Sequence, residues 1–90
     1  MSLPSTSTVF ASQSMVCTID QLASAAALDI LNRGGNAVDG AIAANAVLAV
    51  TSQHMNGLGG DLWALVHEPG QSVQALNASG RAGSGADPQR

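Results

Sequence analysis

The side chains to weigh first for chemistry in this sequence are His54, His67, Asp39, Asp61, Cys17, Arg81 and the threonines at 6, 8, 18 and 51. A zinc site wants Cys, His or carboxylate ligands at close spacing, and neither histidine has them. Nor does either have the partner a general base needs, so they read as a loop histidine and a strand-end histidine. Asp39 and Asp61 read as a helix N-terminal charge and a strand-start residue rather than a paired acid and base. No Gly-x-Ser-x-Gly elbow marks a serine nucleophile. Gly57-Leu58-Gly59-Gly60 invites a phosphate loop, but that pattern needs a strand before it and a helix after it, and the segment after Gly60 reads as a strand. A close-packed backbone crossing or an amide-lined anion cradle are the alternatives. Arg81 is different. It lies just past an expected strand end in Asn77-Ala78-Ser79-Gly80-Arg81-Ala82, where a guanidinium fork suits a carboxylate; a solvated loop arginine is the other reading.

The totals limit what can hold these groups in place. Ninety residues make at most one small domain, and a domain this size buries only about 60% of the surface its unfolded chain exposes. The apolar fraction is 46%, much of it alanine, with one Trp, one Phe and no Tyr. Each buried CH₂ contributes roughly 0.8 kcal/mol, so an alanine core gains little, and the chain is expected to complete its core with surface it does not contain. Net charge is −3, with Arg33, Arg81 and Arg90 the only cations besides histidine, which removes the electrostatic footprint of nucleic-acid or anionic-membrane binding. Cys17 has no internal disulfide partner and reads as a small buried hydrophobe, suiting a reducing compartment or a larger oxidised protein. The N-terminus lacks the features of a secretory signal, so a cytoplasmic location is expected. The charge-free stretch 40–60 is too polar for a membrane span, which wants about 20 predominantly apolar residues.

Residues 1–13 are expected to be loose, 14–82 to form a partial domain, and 83–90 an exposed loop. A strand is expected at 14–18. Thr18 and Gln21 have capping-box spacing, which predicts a helix over 19–33 whose apolar positions Ile19, Leu22, Ala23, Ala26, Ala27, Ile30 and Leu31 form one stripe. Gly34 reads as the left-handed residue that ends this helix. Asn36 reads as the N-cap of the next, with Asp39 in its first turn facing the positive end of the dipole. That second helix, 37–50, is apolar nearly all round, with Asn45 its one polar interior residue, so it must be covered on every side. Residues 51–60 read as a loop. Strands at 61–67 and 72–77 flank a turn with Pro69 second and Gly70 third, and such a lone hairpin must join a wider sheet to be stable.

Together these elements carry a family pattern. Leu22-Ala23-Ser24 opening a helix, Ile30-Leu31-x-x-Gly-Gly-Asn-Ala-Val-Asp39 before an alanine-rich helix, and Gly57-Leu58-Gly59-Gly60 before an apolar strand closely resemble the start of the γ-glutamyltranspeptidase family. The match runs from about Met15 to Ala82. The resemblance implies the first part of the large subunit of an αββα N-terminal nucleophile hydrolase, an α+β fold, made as a precursor that cleaves itself into large and small subunits. It implies partners in the rest of the large subunit and the small subunit, a small carboxylate-bearing amide substrate, and no cofactor. The attacking Thr opens the small subunit, and none of Thr6, Thr8, Thr18 or Thr51 stands in that motif, so no catalytic residue is expected here. In the family's transpeptidases an Arg-Glu motif comes after this strand, its Arg holding the α-carboxylate of the γ-glutamyl group. Here Ser79-Gly80 takes the aligned place and Arg81 comes two residues later. The Asn-x-Ser-Gly-Arg-Ala form, with Gly60-Asp61 and Trp63, resembles the divergent amidohydrolase branch that includes oxamate amidohydrolase, and Arg81 is the expected substrate contact. A non-catalytic scaffold or assembly module derived from the family is the alternative.

Overall fold

The computed structural model describes residues 8–85, in the order α1 (Gln21–Asn32), α2 (Ala37–Thr51), β1 (Leu62–Val66) and β2 (Gln74–Ala78). This is the α+β content expected. Residues 1–7 of the expected loose segment and 86–90 of the expected terminal loop lie outside the described residues. The chain divides into two units, Met1–Gly57 and Leu58–Arg90.

In the first unit α1 and α2 face each other through small residues. Ala23, Ala27 and Ala44 are buried, and Val16, Val47 and Leu48 pack around them. Gly40 is buried where α2 meets α1, against the Ala27 carbonyl and the Leu31 side chain. The rest of the expected α1 stripe is only partly covered: Ala26, Ile30 and Leu31 are half-buried, Leu22 is exposed, and Ile19 is exposed and precedes the helix. Val38, Ile42 and Val50 of α2 are exposed as well.

Three local expectations are corrected. Residues 14–18 form no strand, because a strand needs a ladder partner and the one sheet among the described residues pairs β1 with β2. Instead this stretch brings Val16 onto the helix pair. Helix α1 begins two residues later than expected, with Asp20 as N-cap and no side-chain capping bond. Thr18 Oγ1 is engaged locally, accepting from the Asp20 N–H (3.2 Å) and donating to the Asp20 carbonyl (2.6 Å). It also pairs with Ser24 Oγ at 2.6 Å. A hydroxyl has one proton, so Ser24 is the donor of that last bond, and the turn-forming use of Thr18 wins over the capping box. Cys17, expected to be buried, is exposed, because its neighbours Val16 and Thr18 are half-buried members of this stretch.

The corner between the helices forms as expected. Arg33 is the C-cap, and the N–H groups of Gly34 and Gly35 donate to the carbonyls of Leu31 (3.1 Å) and Ile30 (2.9 Å), a Schellman motif with Gly34 at φ +92°. Asn36 Oδ1 accepts from the Asp39 N–H (2.9 Å) and Asp39 Oδ2 accepts from the Asn36 N–H (3.2 Å), closing a reciprocal capping box. Beyond α2, Asn56 Nδ2 donates to the backbone carbonyl of Asn45 at 3.2 Å and ties the loop back to the helix.

The second unit is an antiparallel hairpin running from Leu62↔Ala78 to Val66↔Gln74 in register. The Gln71 N–H donates to the Glu68 carbonyl (3.0 Å) across Pro69 and Gly70, and Gly70 has φ +80°, the type II turn its sequence calls for. Alternation sends Trp63 and Leu65 to one face and Leu62, Ala64, Val66 and Leu76 to the other, so both faces are apolar.

Candidate functional site

Within the hairpin unit, the site residue expected from sequence lies at the end opposite the turn. Asp61 enters β1 and Ser79-Gly80-Arg81 leaves β2, so the last ladder pair, Leu62↔Ala78, brings entry and exit together. Two features shape the exit. Asn77 Oδ1 accepts from the Ser79 N–H at 3.3 Å, an Asx turn at the strand end. Gly80 has φ +76°, and a Cβ built on it would stand 3.9 Å from Asp61 Oδ1. Arg81 comes directly after it and is exposed. The ion pair found among the described residues is Arg33 with Asp29 (3.0 Å), an exposed pair one turn apart on α1, so Arg81 has no carboxylate partner among them. Its five guanidinium donors face solvent there, which suits a ligand that brings its own carboxylate.

The other candidates do not join it. His67 lies past the far end of β1, about 20 Å of extended chain from Asp61, at roughly 3.3 Å per residue. His54 is exposed in the loop after α2. Among the described residues no three His, Cys, Asp or Glu side chains cluster as a metal site would require. A Cβ built at Gly57, Gly59 or Gly60 meets nothing within 4 Å, so among the described residues these glycines do not mark a close backbone crossing. No helix of the described residues is long and apolar enough to cross a membrane.

An open depression at the helix corner is lined by Ile30, Arg33, Gly35, Asp39 and Ile42. Its polar groups are already engaged, Arg33 with Asp29 and Asp39 in the capping box. A second shallow depression lies on the hairpin over Trp63, Leu65, Leu76 and Asn77. Sequence reasoning read Asp61 as a strand-start residue and Asn77 as part of a motif, and gave neither a role beside Arg81. The signal for Asn77 is its position two residues before Ser79 at a strand end, where Asn commonly accepts from a backbone N–H.

Comparison with known proteins now gives this geometry a context. The γ-glutamyltranspeptidase family pattern matches residues 23–90. The chain is 46% identical over 76 residues to the glutathione hydrolase-like YwrD proenzyme of Bacillus subtilis, covering 83% of this chain and 14% of that protein. It is 52% identical over 64 residues to the oxamate amidohydrolase proenzyme of Klebsiella pneumoniae, covering 70% of this chain and 12% of that protein. The glutathione hydrolase proenzyme of Escherichia coli is 39% identical over 69 residues, covering 77% and 12%. The chain thus spans about one-eighth of the length of these relatives, each named as a proenzyme of a hydrolase or amidohydrolase. By motif, by pattern and by these relatives, the chain belongs to the γ-glutamyltranspeptidase family, an enzymatic family of proenzymes.

Proposed function

We propose that this chain is the N-terminal part of a self-processing amidohydrolase, with residues 14–82 entering an N-terminal nucleophile hydrolase domain. A Thr outside the chain attacks an amide carbonyl and releases the amine, and the acyl group then passes to water or to an amine acceptor. The carrying observation is that the family pattern takes in residues 23–90, while the matches to the Bacillus and Klebsiella relatives, over 76 and 64 residues, span only about one-eighth of each. The hairpin supports the same reading, since both of its faces are apolar and call for covering layers. In the full-length protein those layers come from the rest of the large subunit and from the small subunit.

Arg81 is the residue of this chain that meets substrate, taking the carboxylate of a small amide. Oxamate, the substrate in the name of the Klebsiella relative, and glutathione, in the names of the hydrolases, both carry a carboxylate. Its exposure at the open end of the hairpin, with no carboxylate partner among the described residues, supports this role. Two measurements on the full-length gene product test the proposal. Intact mass should resolve two chains, the smaller beginning with Thr; one unsplit chain without amide hydrolysis points instead to a catalytically silent scaffold. Arg81→Ala should lower kcat/KM for a carboxylate-bearing amide by roughly 30-fold, the equivalent of about 2 kcal/mol for a lost charge-assisted bond. Unchanged turnover at low substrate concentration would refute the contact.

A further inference from the structure

We propose that Asn77 and Gly80 are positioning residues that aim the Arg81 guanidinium at the substrate carboxylate, an inference that rests on the Arg81 reading above. Only Ser79 and Gly80 separate Arg81 from the last ladder pair. Two residues of unrestrained backbone would let a long side chain sweep a wide arc. Both are restrained here. The 3.3 Å bond from the Ser79 N–H to Asn77 Oδ1 fixes the first peptide beyond the strand, and Gly80 at φ +76° then turns the chain immediately before Arg81. A residue with a Cβ resists that conformation, so an alanine at position 80 drives the backbone toward negative φ and redirects Arg81. The direction matters because Asp61 Oδ1 lies beside Gly80. An Arg81 released from the turn has that carboxylate to fall upon, and a guanidinium paired within the chain no longer serves a ligand.

The test uses the full-length protein and a matched pair of probes, oxamate and oxamide, which differ in whether a carboxylate or a carboxamide flanks the scissile amide. Asn77→Ala and Gly80→Ala should each raise KM for oxamate about tenfold or more, leave KM for oxamide unchanged, and leave kcat within about twofold, because they misplace one contact and not the reacting atoms. Asn77→Ser, whose hydroxyl oxygen also accepts from the N–H two residues on and adds no charge, should bring KM back toward the wild-type value. A crystal structure of Asn77→Ala supplies a readout free of turnover, in which the guanidinium of Arg81 is expected to be displaced from its wild-type position. If Arg81→Ala removes the preference for oxamate while Asn77→Ala and Gly80→Ala keep it, the positioning role is overturned and the contact stands. If Arg81→Ala itself keeps the preference, the contact falls and the positioning role with it. Superimposable Arg81 side chains in the wild type and Asn77→Ala overturn the positioning role by geometry alone.

Discussion

Gly34 and Gly35 stand side by side at the helix corner and need to be glycine for different reasons. Gly34 has φ +92° and open space around its Cα, so its requirement is conformational. Gly35 is outside the left-handed region, and its requirement is steric. A Cβ there would meet Ile30 Cγ2 at 2.6 Å and the Ile30 carbonyl oxygen at 2.9 Å. The first contact is hard to relieve because a β-branched residue in a helix keeps one χ1 rotamer, and the second is backbone. Gly34→Ala should therefore cost about 1 kcal/mol, the left-handed penalty, while Gly35→Ala should cost about 2 kcal/mol or more by breaking the bond from its own N–H to Ile30. Urea unfolding of the two single variants in the full-length protein checks the order; equal losses would show that position 35 accommodates a side chain by a shift of the corner. The paired glycines are visible in sequence as a helix stop, whereas the division of labour between them depends on where Ile30 points.

Among the elements, those whose signals are local were legible before any coordinates. The Asn36 cap of α2, the Gly34 stop, the Pro69-Gly70 turn and the hairpin all come from residue types at short spacing. The strand expected at 14–18 failed for the opposite reason, since a strand exists only through its partner, and residue types say nothing of where one lies. At Thr18 two local patterns competed, and the turn took the hydroxyl that the capping box needed. Arg81, the substrate contact proposed above, was legible only as a residue type just past a strand end, because a sequence position carries no record of the groups that would face it in space. One element retains an unused margin. Gly40 lies inside α2, where glycine costs about 0.8–1.0 kcal/mol relative to alanine. An added Cβ would sit 3.5 Å from the Ala27 carbonyl oxygen and 3.6 Å from Leu31, ordinary contact distances. Gly40→Ala should therefore raise stability in the longer protein proposed above by about 0.5–1 kcal/mol, read as a higher urea midpoint at unchanged slope. A lower midpoint would mean that α1 and α2 approach more closely than these distances allow for.

At the scale of the whole molecule, the balance between buried and exposed apolar groups decides what the chain does in solution. Among the described residues of the first unit the buried hydrophobic ones are Ala23, Ala27 and Ala44, each methyl contributing roughly 0.8 kcal/mol. Far larger side chains stay uncovered: Ile42 and Val50 on α2 are 63% and 77% exposed, and Trp63 and Leu65 on the hairpin are 64% and 77% exposed. A hairpin of two strands is marginal alone, and a patchwork of exposed Trp, Leu, Ile and Val on this scale is the signature of faces made to be covered. Residues 1–90 produced as a separate polypeptide should therefore unfold without a sharp transition, bind a hydrophobic dye, and show water-exposed emission from Trp63. In the longer enzyme proposed above, the amides of β1 and β2 should exchange with solvent on the order of 100-fold more slowly than in the 90-residue polypeptide, because the proposed covering layers would make their opening part of a larger cooperative event. Hydrogen exchange read peptide by peptide decides between the two states. Equal protection of β1 and β2 in both, with a sharp thermal transition in the short polypeptide, would show that the hairpin holds itself and would remove the structural reason for assigning its two apolar faces to the rest of an enzyme.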